Sequence, residues 1–262
     1  MRKREYQRVY SGRNLEQISF PLGGIGTGSV GLSGYGGLRD WEIFNRPNVG
    51  GMLPFTFPVL YAKAKGEAPV CRVAQGPVPP PHIGGGMGDP CVNGEGFPHM
   101  DECTFRGEYP FARIDFESRK LPVTLSLEAY NPFIPSCPDE SGFPAAILKY
   151  TLKNKLRKSV EATLAWSLFN PIGTTGLADQ DRAAGPAECG YGRNVNRYIE
   201  RGGLRGLEFT SEKWAADHPR FGSLALTTPE KRVTVMKYWS REGWFAPKHE
   251  FWDVFSATGR LP

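Results

Sequence analysis

Apolar and polar residues alternate with a period of two along much of this chain. In the segment VTLSLEAY, Val123, Leu125 and Leu127 fall on one face, and Thr124 and Ser126 fall on the other. Such alternation is typical of strands with one buried face. Similar patterns predict two strands within residues 57–73, joined around 65–67, and further strands at 111–118, 147–154, 160–168, 204–209, 223–227 and 232–238.

No segment keeps a helical period over twelve residues, so the patterns indicate an antiparallel, all-β fold of two packed sheets, a β-sandwich. Two long stretches lack periodicity and are rich in glycine or proline, residues 76–107 and 170–196. Strands of the same kind lie on both sides of each stretch. We therefore interpret both stretches as loops within a single domain that occupies residues 1–262.

The charge distribution argues against nucleic acid as a partner. The 262 residues carry a formal net charge of +5, but the basic residues are scattered, and a nucleic-acid footprint requires them to cluster. No run approaches the roughly 18 apolar residues of a membrane helix. The basic start at Arg2, Lys3 and Arg4 has no apolar stretch after it, so we expect a cytoplasmic protein.

The five cysteines are widely spaced, without a Cys-x-x-Cys pair, which predicts neither a disulfide framework nor a zinc cluster. Cys91, His99 and Cys103 could in principle meet on a metal ion, but their spacing matches no standard site. We expect no metal and no other cofactor.

The segment LGGIGTG, residues 22–28, looks like a phosphate-binding loop but lacks its lysine. A dinucleotide fingerprint does occur, with glycines at Gly26, Gly28 and Gly31, but it has meaning only when a helix follows, and the next residues are poor helix formers. The remaining interpretation is that Gly23, Gly24, Gly26 and Gly28 allow a tight turn and the close approach of another surface.

Residues 38–44 alternate in strand fashion and contain one carboxylate pair, Asp40 and Glu42. Strand neighbours on one face lie about 7 Å apart, close to the roughly 6.5–9.5 Å between the carboxyl groups of an inverting glycosidase. The other interpretation is that both residues are charge partners of Arg39, Arg46 or other basic groups. The residue pattern leaves both possibilities open.

The segments PLGGIGTGS and DWEIFNRP, residues 21–29 and 40–47, resemble the amino-terminal region of glycoside hydrolase family 116. This family comprises non-lysosomal glucosylceramidases, also known as bile-acid β-glucosidases, and bacterial and archaeal β-glucosidases. The segments YPFARIDFES, LPVTLSLEAYNPFIP, FPAAILKYTLKNK and WSLFNPIG resemble it in the same order. The resemblance covers residues 18–252.

The resemblance implies a β-sandwich that packs against an (α/α)6 catalytic toroid of the same polypeptide, which acts on a β-glucoside or glucosyl lipid with retention. The toroid carries both catalytic carboxylates, and we expect this chain to end before it and before the last sandwich strands. No residue here then inherits a catalytic role, and the chain alone is expected to be inactive.

Asp40, Trp41, Glu42 and Arg46 become candidates for lining or bracing the active-site mouth from the sandwich side. Gly23, Gly24, Gly26 and Gly28 become candidates for a turn at the domain interface. The alternative is a stand-alone carbohydrate-binding or structural sandwich, in which tryptophans at positions 41, 166, 214, 239, 244 and 252 supply sugar-stacking surfaces, although Trp166 lies in an apolar strand row typical of a core.

Overall fold

The computed structural model describes residues 8–43, 45, 47–78, 80, 93–173, 193–219, 221–240 and 246–261. Within them, fourteen strands and two α-helices follow one another along the chain. Their bounds are β1 Val9–Ser11, β2 Ser19–Leu22, β3 Ser29–Ser33, β4 Leu38–Glu42, β5 Phe57–Ala64, β6 Val70–Val73, β7 Glu102–Glu108, β8 Phe111–Glu117, β9 Val123–Tyr130, α1 Pro138–Ser141, β10 Ile147–Asn154, β11 Val160–Ser167, β12 Asn194–Arg201, β13 Leu204–Ser211, β14 Leu224–Thr228 and α2 Ala246–Thr258.

The strands form four antiparallel sheets, which confirms the predicted all-β class. The five-stranded sheet has the order β1-β7-β8-β9-β10. The amino-terminal sheet is β2-β3-β4, the central sheet is β11-β5-β6, and the carboxy-terminal sheet is β12-β13-β14. Each neighbouring pair is antiparallel.

The main core lies between the five-stranded sheet and the amino-terminal and central sheets. Val123, Leu125 and Leu127 of β9 point into it, as their period of two predicted. The central sheet contributes Leu60 and Ala62 of β5. The core also includes the buried residues Leu15, Leu22, Leu32, Tyr35, Ala74, Met100, Cys103, Phe105, Ala112, Ile114, Phe116, Leu121 and Ala129.

Strand β5 is buried on both faces, because helix α2 covers the side of the central sheet that faces away from the main core. Tyr61 of β5 packs edge-on against Phe255 of α2, with 6.3 Å between ring centroids. Phe251 of the same helix packs against Trp239 at 5.0 Å. Two apolar layers on one strand explain why β5 is an almost continuous apolar run rather than an alternating one.

Helix α2, thirteen residues long, was not predicted, because no segment of the sequence showed a helical period over twelve residues. Its buried stripe runs through Lys248, Phe251, Phe255 and Gly259, spaced three or four residues apart, and the lysine within the stripe weakens the apolar signal. The helix ends at Thr258, and the next residue, Gly259, has a φ of +66° and donates its N–H to the Phe255 carbonyl at 2.8 Å. Among the described residues, neither helix has the length and apolar content that a membrane span requires.

Residues 232–238 are not a strand, contrary to their alternation. Val233 and Val235 are half-buried, but none of the described strands pairs with the segment. Side chains hold it instead, because Asn196 Nδ2 donates to the Lys237 carbonyl at 2.6 Å and Thr234 Oγ1 accepts from the Leu261 N–H at 3.3 Å. The two predicted loops are also shorter than expected, since β7 begins within the first and β12 begins within the second.

Candidate functional site

The glycine-rich segment forms the turn of a β-hairpin. Residues 23–28 connect β2 to β3, and Leu22 pairs with Val30 directly beyond the turn. The fingerprint glycine Gly31 therefore lies in strand β3, where a dinucleotide site would need a helix. The backbone geometry thus agrees with the interpretation of these glycines as a turn.

The glycines of this turn are required for different physical reasons. A Cβ atom on Gly24 would lie 2.5 Å from the Phe143 carbonyl oxygen and 2.6 Å from the Gly142 carbonyl carbon. A Cβ atom on Gly28 would lie 2.5 Å from the Glu42 carbonyl oxygen. Gly26 has open space around it but a φ of +75°, which side chains disfavour. Gly24 and Gly28 are therefore constrained by other backbone segments of the same chain that lie very close to them.

Asn131 fastens the turn to the five-stranded sheet. It follows directly on β9 and is buried. Its Oδ1 accepts a hydrogen bond from the Gly23 N–H at 2.6 Å, and its Nδ2 donates to the Pro21 carbonyl at 2.9 Å. Asn131 was not among the site residues predicted from the sequence, and its only local signal is an Asn-Pro pair at the end of a strand.

Asp40 sits at an irregularity where the register between β3 and β4 shifts. Its φ of +49° is unusual for a residue with a side chain, and it breaks the alternation predicted for residues 38–44. Asp40 Oδ2 accepts from the Ser19 hydroxyl and lies 3.2 Å from Arg39 Nε, while its Oδ1 accepts from the Gly50 N–H. Both carboxylate oxygens are thus engaged with the surrounding backbone and side chains.

The other candidate residues of this segment have separate environments. Trp41 is buried, and its indole Nε1 makes no hydrogen bond to the described residues. Glu42 Oε1 accepts from the Asn48 N–H at 3.4 Å, and Asn48 Nδ2 donates to the Trp41 carbonyl at 3.3 Å. Arg46 lies outside the described residues. Asp40, Trp41 and Glu42 therefore brace the loop at residues 48–51 from β4.

The structure describes two of the three metal-ligand candidates, His99 and Cys103. In the described part of the chain, no group of three His, Cys, Asp or Glu side chains is arranged to hold a metal ion. The ring nitrogens of His99 lie 2.9 Å from the Phe97 and Asn93 carbonyls, and burial lowers the His99 pKa. Burial raises the pKa of the Cys103 thiol to about 12. Cys91 lies outside the described residues.

The tryptophans mostly make ring contacts within the chain. Trp252 stacks on Phe97 at 4.4 Å, Trp239 packs on Phe55 at 5.0 Å, and Trp214 stacks on His218 at 4.1 Å. Trp166 is half-buried on β11. Trp244 lies outside the described residues. A sugar-stacking surface needs an exposed ring face, and the two stacked contacts cover one face of Trp252 and one face of Trp214.

The four sheets, the shared core and the glycine turn define an antiparallel all-β domain of sandwich type. A sequence-family model described as "beta-glucosidase 2, glycosyl-hydrolase family 116 N-term" matches residues 19–262. The chain belongs to glycoside hydrolase family 116, as the N-terminal domain of that family. A search of curated proteins gives no match.

Proposed function

We propose that this chain is the non-catalytic amino-terminal domain of a retaining β-glucosidase of the glucosylceramidase type. The domain packs on an (α/α)6 catalytic domain of the same polypeptide and braces it, and a β-glucoside or glucosyl lipid is the substrate of that catalytic domain. The match of residues 19–262 to the N-terminal family model carries this proposal.

The environment of the carboxylates supports a bracing role over a catalytic one. A retaining glycosidase needs two free carboxyl groups about 5–5.5 Å apart, one of them with a raised pKa. Asp40 instead uses its oxygens to hold Ser19, Arg39 and Gly50. Glu42 accepts a hydrogen bond from the Asn48 backbone. Both residues are thereby suited to fixing a loop.

We assign Asp40, Trp41, Glu42 and Arg46 to the support of the active-site mouth. The buried Trp41 anchors β4, and the side chains on either side of it hold residues 48–51. The turn with Gly23, Gly24, Gly26 and Gly28 faces the catalytic domain in this proposal. A rigid turn suits an interface because little conformational entropy is lost when the domains meet.

A comparison of the full-length enzyme with residues 1–262 alone tests the proposal. We expect the enzyme to hydrolyse a fluorogenic β-glucoside and the isolated chain to show no hydrolysis. Trp41→Ala in the full-length enzyme should lower both thermal stability and kcat, whereas Trp41→Phe should retain most of both. Hydrolysis by the isolated chain would overturn the non-catalytic assignment, and unchanged activity and stability in Trp41→Ala would overturn the bracing role.

The isolated chain also serves to test the alternative of a carbohydrate-binding module. Under the proposed function, glucose and cello-oligosaccharides should leave its tryptophan fluorescence unchanged. Saturable quenching by such a sugar would favour the binding module, because a sugar that stacks on an indole ring changes its emission.

A further inference from the structure

An apolar patch lies beside the glycine turn, made of Ile25, Tyr109, Phe133, Ile134 and Phe143. Four of these side chains are exposed by 56% at Ile25, 55% at Tyr109, 49% at Ile134 and 64% at Phe143, and Phe133 is half-buried. The Tyr109 and Phe133 rings lie 5.6 Å apart. The patch is thus contributed by the glycine turn, the β7–β8 turn and the segment after β9.

Ser141 of helix α1 holds the patch together. Its hydroxyl accepts from the Ile134 N–H and donates to the Ile134 carbonyl, both at 2.9 Å. Its carbonyl accepts from the Ile25 N–H at 2.8 Å. Gly24 lies so close to the Phe143 carbonyl that there is no room for a side chain. The apolar side chains of the patch are therefore exposed to solvent on a backbone that hydrogen bonds and close contacts hold in place.

The size of the patch is that of an interaction surface. A large side chain has about 150–250 Å² of surface, and each of the four exposed members keeps roughly half of it in contact with solvent. Together they present roughly 400 Å² to solvent. The largest apolar patch of a monomer is about 300–600 Å² and is often functional. A stable interface takes about 800 Å² from each partner, so the patch accounts for roughly half of one side.

We infer that the apolar patch docks on the catalytic domain of the same enzyme, an inference that rests on the proposed function. The family match makes this chain one domain of a β-glucosidase, and the patch adjoins the turn assigned to the domain interface. The size of the patch fits a contact between domains that remain together in one polypeptide.

Charge at the edge of the patch argues against a second copy of the chain as the occupant. Asp139 and Glu140 of α1 are exposed immediately before Ser141. A two-fold contact through the patch would place the acidic edge of each copy against the apolar patch of the other, where no patch side chain carries a positive charge to pair with it, which is unfavourable. The catalytic domain should accordingly present an apolar surface with lysine or arginine at its edge.

Hydroxyl-radical footprinting of the full-length enzyme tests the inference without altering the fold. We expect oxidation of Ile25, Tyr109 and Phe143 to be at least fivefold slower than their exposure in this domain implies. Leu204 and Tyr238, exposed by 45% and 75%, are the matched controls and should be oxidised readily. Oxidation of the patch at a rate comparable to the controls would overturn the inference.

Three further outcomes separate the possible failures. Protection that disappears on dilution would identify a second copy as the occupant and overturn the inference. If the patch is protected but the enzyme does not hydrolyse β-glucosides, the proposed function fails while the docking surface stands. If the enzyme is active and the patch is oxidised freely, the docking surface alone fails.

Substitution provides a second measurement. Phe143→Asp in the full-length enzyme should increase the rate of proteolytic release of this domain about tenfold, because a carboxylate would enter an apolar contact. Leu204→Asp is the matched control and should leave the rate unchanged. An equal rate for Phe143→Asp, Leu204→Asp and the unaltered enzyme would argue against the patch as the contact.

Discussion

The contact between the glycine turn and the segment after β9 leads to a quantitative prediction for Gly24→Ala. The added Cβ would lie 2.5–2.7 Å from three backbone atoms, the Phe143 oxygen and the Gly142 carbonyl carbon and oxygen. Backbone atoms cannot rotate away as the end of a flexible side chain can. The turn must therefore move, and this movement strains the hydrogen bond from the Ile25 N–H to the Ser141 carbonyl.

The expected loss of stability has two parts. Overpacking of a close contact costs about 1–3 kcal/mol, and weakening one hydrogen bond adds about 0.5–1.5 kcal/mol. We expect Gly24→Ala to lower the free energy of unfolding by about 3 kcal/mol, which corresponds to a melting temperature roughly 6–12 °C lower for a domain of this size.

Gly26→Asn in the same turn is the matched control. Gly26 has a φ of +75° and nothing within 4 Å of an added Cβ. Asparagine tolerates this backbone conformation better than most residues, so the larger substitution should cost less than about 1 kcal/mol. Urea unfolding of the purified chain, followed by far-ultraviolet circular dichroism, measures both variants. The reasoning is refuted if Gly24→Ala costs no more than Gly26→Asn.

Three further predictions concern the apolar contact between helix α2 and strand β5, the half-buried His99, and Asn131, which fastens the turn. Phe255→Ala should cost about 3–5 kcal/mol in urea unfolding because Phe255 of α2 is fully buried against Tyr61 of β5. Val254→Ala, at an exposed position of the same helix, should cost less than about 1 kcal/mol, and similar costs for the two variants would contradict the docking of α2. Burial lowers the pKa of His99, so its contribution to stability is full above about pH 6.5 and is lost as the pH falls towards the folded-state pKa. The urea midpoint of His99→Gln should therefore vary less between about pH 5 and 7 than that of the unaltered chain. A pH dependence equal to that of the unaltered chain would contradict a lowered pKa of His99. Asn131→Ala should cost about 2–3 kcal/mol, because it leaves the Gly23 N–H without its acceptor, and a cost near zero would show that water replaces the side chain.

Strand positions were the most predictable feature of this fold. The strands β8, β9, β10 and β11 lie within one or two residues of the predicted segments, because alternation with a period of two directly records which face of each strand is buried. The same signal was misleading at residues 232–238, where one face is half-buried but the segment accepts hydrogen bonds from the Asn196 side chain and the Leu261 N–H. Alternation reports burial and does not report a pairing partner.

The candidate site was only partly predictable. The glycines and the segment around Asp40 stood out because their residue types are unusual for a strand pattern, and the turn was expected from glycine alone. The role of Asp40 as a hydrogen-bond acceptor from Ser19 and Gly50 was left open, since it depends on a register shift between β3 and β4. Asn131 was missed, because its partners are far away in the sequence.

The amino-acid sequence by itself determined the all-β class, most strand positions and the membership of a glycoside hydrolase family, because these follow from local patterns and short ordered motifs. Only the tertiary structure decided which glycines are constrained by close contacts, that α2 covers a second face of β5, and that Ile25 and Phe143 share one exposed patch. These features arise from contacts between segments that are distant along the chain, and the packing of the whole domain determines such contacts.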